Sequence, residues 1–396
     1  MKRLSLLKTC VVFVFCAATA IGSSAQVFIT LHSFGGPDGA NPFAGLVQAT
    51  DGNFYGTTTG GGAGYGTVFK ITPQGALTVL HNFSGGDGYY PDGGLVQGSD
   101  GAFYGTTYWG GVSWDCTNPY KTGCGTVFRI DSQGNFSTLY RFNFSDGANP
   151  AGTLVQGTDG YFYGTTYWGG ANCGAHGCGT VFKISRTGAL TTLHTFYGEG
   201  GNPAAALLQA DDGNFYGTTS GWYVGGATVF RMTPTGALTI LHTFCSEPNC
   251  ADGNKPFAAL VPGTDGNFYA TAASGGDYGN GTVFKITPSG TLTVLHSFAG
   301  PDGATPFSGL VRGADGNFYA TASSGGASGD GTVFKITPQG ALTVLHNFSG
   351  GDGYTPYGVL VQGSDGNLYG TTTRGGGSGT VFRLYPVPAC SNCRIK

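Results

Sequence analysis

Charge is scarce in this chain. Asp, Glu, Lys and Arg make up 10% of its 396 residues, and the net charge is −3. Lys and Arg nowhere cluster, so the run of phosphate-neutralising cations that nucleic acid demands is missing, and nucleic acid is not an expected partner. Helical periodicity is missing too, which argues against any fold built on amphipathic helices. Beyond the first 25 residues no apolar run approaches the roughly 20 residues of a membrane-spanning helix. Catalytic signatures are equally thin. No serine sits in a nucleophile-elbow context, no two carboxylates stand out as acid and base, and the Gly-rich stretches lead into no helix that could face a phosphate. No cofactor is implied.

Glycine and aromatics are abundant instead: 75 Gly, 28 Phe and 21 Tyr. So much glycine could mean disorder, but the aromatics recur at fixed places and argue for a packed chain. The stretch GTVFKITPQGALTVLHNFSGGDGY stands at 66–89 and again, letter for letter, at 331–354. It belongs to a repeat. A D-G-N-F-Y-G tag or variant has its Asp at Asp51, Asp100, Asp159, Asp212, Asp265, Asp315 and Asp365, 49 to 59 residues apart. A G-T-V-F tag has its Phe at Phe69, Phe128, Phe182, Phe230, Phe284, Phe334 and Phe382. A D-G-x-x-P tag, EGGNP in the fourth copy, ends at Pro42, Pro91, Pro150, Pro203, Pro256, Pro306 and Pro356.

Each repeat holds four strand-like runs, in the first FAGLVQA (43–49), NFYGTTT (53–59), GTVFKIT (66–72) and ALTVLHNF (76–83). Val, Ile, Thr, Phe and Tyr suit a pleated, half-buried surface. Asp-Gly suits a two-residue hairpin with both central residues at positive φ, and T-P-Q-G reads as a second turn. Seven units of four antiparallel strands predict an all-β, seven-bladed β-propeller. The last repeat stops after its third strand, and VFITLHSF (27–34) matches the missing fourth. The N-terminal strand is therefore expected to complete the last blade and close the ring.

The repeated G-L-V-Q-G-x-D-G-N-F-Y-G-T-T with G-T-V-F-K-I resembles the tandem repeat of bacterial exported GloVer-containing proteins, whose C-terminal anchors vary. The resemblance spans about residues 27–385. It implies a β-propeller-like exported repeat protein and no particular activity. The tail PVPACSNCRIK departs from the anchored pattern, having neither an apolar span nor a sorting motif.

The ends point to export. Lys2, Arg3 and Lys8 precede the run CVVFVFCAATAI, and Ser23, Ser24 and Ala25 suit a cleavage site, so residues 1–25 read as a signal peptide. Cleavage near Ala25 would leave a secreted or periplasmic chain of about −6, expected to be monomeric, with a propeller over 26–385 and a short tail over 386–396. Eight cysteines then remain, in close pairs: Cys116 with Cys124, Cys173 with Cys178, Cys245 with Cys250, and Cys390 with Cys393. They read as disulfides. Cys173, His176 and Cys178 also suggest a metal, but tetrahedral zinc wants four ligands.

Residues present in every repeat read as scaffold. His32, His81, His194, His242, His296 and His346 share one slot in the fourth strand, where the second repeat has Tyr140. Setting such residues aside leaves the acids Asp92, Asp115, Asp131, Asp211, Glu247, Asp277 and Asp330.

Function is expected on the face that carries the variable loops between second and third strands. Trp109, Trp114, Trp168 and Trp222 lie there with Tyr108, Tyr120, Tyr167 and Tyr223, all in repeats two to four. They form either a carbohydrate-stacking platform or packing for their own long loops. The tag acids Asp38, Asp87, Asp146, Glu199, Asp252, Asp302 and Asp352 are expected to ring the central opening, holding a cation or simply their own turns. The favoured reading is a non-enzymatic binding or scaffold propeller, with carbohydrate as its ligand. A polysaccharide lyase or hydrolase using the same face, and a purely structural envelope protein, are the alternatives.

Overall fold

A computed structural model describes residues 26–111, 116, 123–170, 177–221 and 226–385. The signal peptide expected over 1–25 and the tail over 386–396 lie outside them. In the first blade Val47–Gln48, Phe54–Thr58, Thr67–Ile71 and Leu77–Asn82 pair in that order, each antiparallel to the next. The described residues form seven such four-stranded sheets. The chain is a seven-bladed β-propeller. In the last blade Val361–Gln362, Leu368–Thr372 and Thr380–Leu384 are joined by Phe28–Ser33, the first strand of the chain. Phe28 stacks on His346 of the sixth blade at 3.9 Å, so the closing strand is gripped by its neighbour as well as its own sheet. Among the described residues no helix is long and apolar enough to cross a membrane.

Two local expectations need correction. The innermost strand pairs over two residues, Val47–Gln48, and not over 43–49. Phe43, Ala44 and Gly45 leave the sheet to line the central opening. The D-G turn does not hold two residues at positive φ. Only Gly52 does, at 79°, with its N–H donating to the Ala49 carbonyl at 2.9 Å.

The F-Y tag binds blade to blade. The second strands are buried throughout, because each is covered by sheets on both sides. The tag tyrosine of each blade meets the tag phenylalanine of the next, as in Tyr55–Phe103, Tyr104–Phe162 and Tyr369–Phe54, with ring centroids 3.9–4.1 Å apart. Leu368 takes the phenylalanine's place in the last blade and packs in one cluster with Tyr319. Such ring pairs contribute about 0.5–1.5 kcal/mol each beyond their burial. The tyrosine hydroxyl is not left unpaired. Tyr55 donates to Asp51 Oδ2 at 2.9 Å, and Lys70 Nζ reaches the same oxygen at 2.9 Å. One turn carboxylate thus ties down the repeated Tyr and Lys slots together.

Candidate functional site

The central opening is built from one backbone device used seven times. The residue before each tag proline is left-handed: Asn41, Tyr90, Asn149, Asn202, Lys255, Thr305 and Thr355 have φ between 51° and 60°. A non-glycine residue in this region costs on the order of 1–3 kcal/mol unless its surroundings hold it. Backbone bonds hold it here. Tyr108 N–H donates to the Tyr90 carbonyl at 2.9 Å, and Tyr167 N–H to that of Asn149 at 3.0 Å. The kink turns the chain inward, and the residue after the proline arrives at the mouth of the channel.

Those seven residues are Phe43, Asp92, Ala151, Ala204, Phe257, Phe307 and Tyr357, and all of them line one cavity of about 500 Å³. Four form an arc of rings: Phe257 to Phe307 at 5.2 Å, Phe307 to Tyr357 at 5.2 Å, and Tyr357 to Phe43 at 4.7 Å. The arc opens at blades two to four, where Asp92, Ala151 and Ala204 stand. Two alanines leave room there, and the carboxylate borders it.

At that gap stand tyrosines and a tryptophan, from the variable loops except for Tyr90 of the second tag. Tyr90, Tyr108, Trp109 and Tyr167 line the same cavity. Neighbouring blades fix their backbones. Asn149 Nδ2 donates to the Tyr108 carbonyl at 2.7 Å, and Asn202 Nδ2 to the Tyr167 carbonyl at 2.9 Å. Trp109 pairs its backbone with Tyr89 in an isolated bridge. Trp168 does not line the cavity. Its side chain is hydrogen-bonded with the Tyr108 hydroxyl and packs against the core of blades two and three.

Cys116 and Cys124 are disulfide-bonded beside this wall, and Cys124 accepts the Asn149 N–H at 2.7 Å. Cys245 and Cys250 are bonded in the fourth blade's exit loop, and Cys178 is also in a disulfide. Trp114, Tyr120, Cys173, His176, Trp222, Tyr223, Cys390 and Cys393 lie outside the described residues.

Asp92 is a cavity residue that reading the sequence left among the acids without an assigned role. It is half-buried, but its Oδ1 is fully covered and has no hydrogen-bond partner. Burial pushes the carboxyl up to about 7. Burial, followed by the Asp92 charge, raises the phenols of Tyr90 and Tyr108 as well. Aligning the seven tags shows it: the position after proline reads Phe, Asp, Ala, Ala, Phe, Phe, Tyr, one acid among apolar residues.

The seven tag acids do not ring the channel. Each is bound to the fourth-strand His or Tyr slot at 2.6–3.0 Å: Asp38 to His32, Asp87 to His81, Asp146 to Tyr140, Glu199 to His194, Asp252 to His242, Asp302 to His296 and Asp352 to His346. Backbone N–H groups occupy further oxygens, as Gly35 does on Asp38 at 2.8 Å. They stand at the outer end of the connection because they follow the outermost strand by only a few residues.

Comparison with known proteins decides the family. The Gloeobacter/Verrucomicrobia repeat matches residues 19–117, 114–263 and 257–391. The chain belongs to the Gloeobacter/Verrucomicrobia repeat family. No protein of curated function matches the sequence of this repeat protein. Its fold is similar to that of streptogramin B lyase, with a TM-score of 0.63 and 16% identity over 91% of this chain and 97% of the lyase. Virginiamycin B lyase from Staphylococcus aureus gives 0.61 and 15%, over 91% and 99%. A catalytically inactive form of that lyase with quinupristin gives 0.62 and 15%, over 91% and 100%. At such identity the likeness of the repeat protein to these lyases is one of fold.

Proposed function

We propose that this repeat protein is an exported binding propeller that holds a ring-shaped ligand, foremost a sugar residue of a larger glycan, at the mouth of its central channel. The supporting observation is the broken aromatic arc: four neighbouring rings, one pair of them stacked, face a gap walled by Tyr108, Trp109 and Tyr167. Flat faces suit the C–H face of a pyranose, and phenols and nearby backbone supply hydrogen bonds. Cys116–Cys124 and the Asn149 and Asn202 side chains preorganise the wall, which lowers the ordering cost of binding.

Tryptophan fluorescence titration with an oligosaccharide panel tests this reading. Trp109→Ala and Tyr167→Ala should each weaken the bound oligosaccharide by about 1–3 kcal/mol, while Lys70→Ala leaves its affinity unchanged. If no glycan binds, or if these changes lower only the melting temperature, the aromatics serve packing and the structural-protein reading takes over. A second reading rests on Asp92, whose carboxyl at about 7 suits general acid–base chemistry on a polysaccharide. Release of new reducing or unsaturated ends from the same panel would replace binding with lyase or hydrolase activity.

A further inference from the structure

We infer that Asp92 gives the channel mouth selectivity for a protonated amine, so that the sugars it prefers are those with a free amino group. This rests on the binding reading above and names its ligand class more narrowly. The six other post-proline positions carry no charge, and among the described residues lining the cavity there is no Lys, Arg or His. Asp92 therefore faces a largely apolar space without a counter-charge from those residues, and its covered Oδ1 lacks a donor. An unpaired buried carboxylate is costly, and a cation delivered by a ligand removes that cost.

The walls favour the same group. Tyr90, Tyr108, Trp109 and Tyr167 border the carboxylate's side of the cavity, and aromatic faces attract ammonium ions through their quadrupoles. A metal is a poor alternative occupant. Calcium takes six to eight oxygen ligands, and among the described residues lining this cavity Asp92 is the one carboxylate. An ammonium ion needs only one such partner and an aromatic surround.

Free Asp92 is half protonated near neutral pH, so an incoming ammonium must displace that proton. Affinity for an amine that stays charged should then fall by up to about tenfold per pH unit as pH drops below about 7. A neutral ligand would show no such slope.

The experiment uses the full mature chain and tryptophan fluorescence. The probes are a glucosamine trimer, its fully N-acetylated counterpart, a glucose trimer, and cyclohexylammonium with cyclohexanol as its neutral twin. Each amine should bind at least tenfold tighter than its neutral twin at pH 7.5. Asp92→Asn should erase that preference, as should Asp92→Glu to a lesser degree, with melting curves verifying that both variants fold. If glucosamine and N-acetylated trimers bind alike and Asp92→Asn changes neither, the amine inference is overturned while the binding reading stands. If cyclohexylammonium binds through Asp92 and no oligosaccharide does, carbohydrate is the wrong class and the amine inference survives. If nothing binds, both fall.

Discussion

Asn149 donates its side-chain Nδ2 to the backbone carbonyl of Tyr108 at 2.7 Å, across the boundary between the third and second blades. Asn149 is itself left-handed, with φ 58°, and nearly buried at 4% exposure. One residue thus turns its own chain into the channel and fixes a wall residue of the adjacent blade. Asn149→Ala should lose the bond and strain the backbone, lowering stability by about 2 kcal/mol. Asn149→Gly should recover the backbone part and leave the bond's share, so chemical denaturation of the pair separates the two effects. Equal losses for Ala and Gly would mean the left-handed backbone carries no cost.

Thr305 occupies the same slot with φ 53°, and a β-branched residue is poorly suited to it. Its hydroxyl meets Ser324 Oγ at 3.1 Å. Thr305→Asn should relax the backbone and bring Nδ2 to the Ala273 carbonyl, the counterpart of Tyr108 in the fifth blade. We expect a gain of about 1 kcal/mol. A lower melting temperature would show that the Ser324 contact outweighs both terms.

Asp92 links stability to pH. Its folded carboxyl titrates near 7, above the ordinary value of 3.8, so the native state holds a proton that the unfolded chain releases. Stability should therefore fall as pH rises from about 4 to about 7 and level off above. Asp92→Asn should be more stable than the wild type at pH 8, and the gap should close towards pH 4. A pH-independent difference would place the carboxylate in water.

Ring closure rests on the first strand. Phe34 is fully buried, and its N–H donates to the Gly379 carbonyl at 2.9 Å. A chain lacking residues 26–34 should expose the edge of Thr380–Leu384 and aggregate or melt far lower. Unchanged melting of a monomeric truncated chain would contradict closure by this strand.

The propeller was legible because its strands, turns and blade contacts are each written seven times, and repetition separates pattern from accident. Closure could be read from the fourth-strand motif lying at the opposite end. The lining of the candidate cavity was legible in part. Tyr108, Trp109 and Tyr167 stand out as bulky residues in slots that other blades fill with smaller ones. Asp92 did not, because a lone acid in a loop has no periodic signature; its meaning comes from facing the other six positions across an axis the sequence does not display. The tag acids were misplaced for a related reason. Sequence gives their distance to the innermost strand but not how far the connection runs over the blade before turning in, and their His partners settle that at the outer end.

Because each kinked proline step delivers a single side chain to the mouth, the channel rim reads as a seven-letter word, F-D-A-A-F-F-Y, set on a frame indifferent to its spelling. The sheets pair, the tag rings stack and the turn carboxylates bind without reference to these letters. The duplicated stretch at 66–89 and 331–354 stops just before the rim positions, Asp92 and Tyr357, so identical frame is followed by different rim letters. A frame built this way can change the shape and charge of its channel mouth one blade at a time, with no need to redesign a fold.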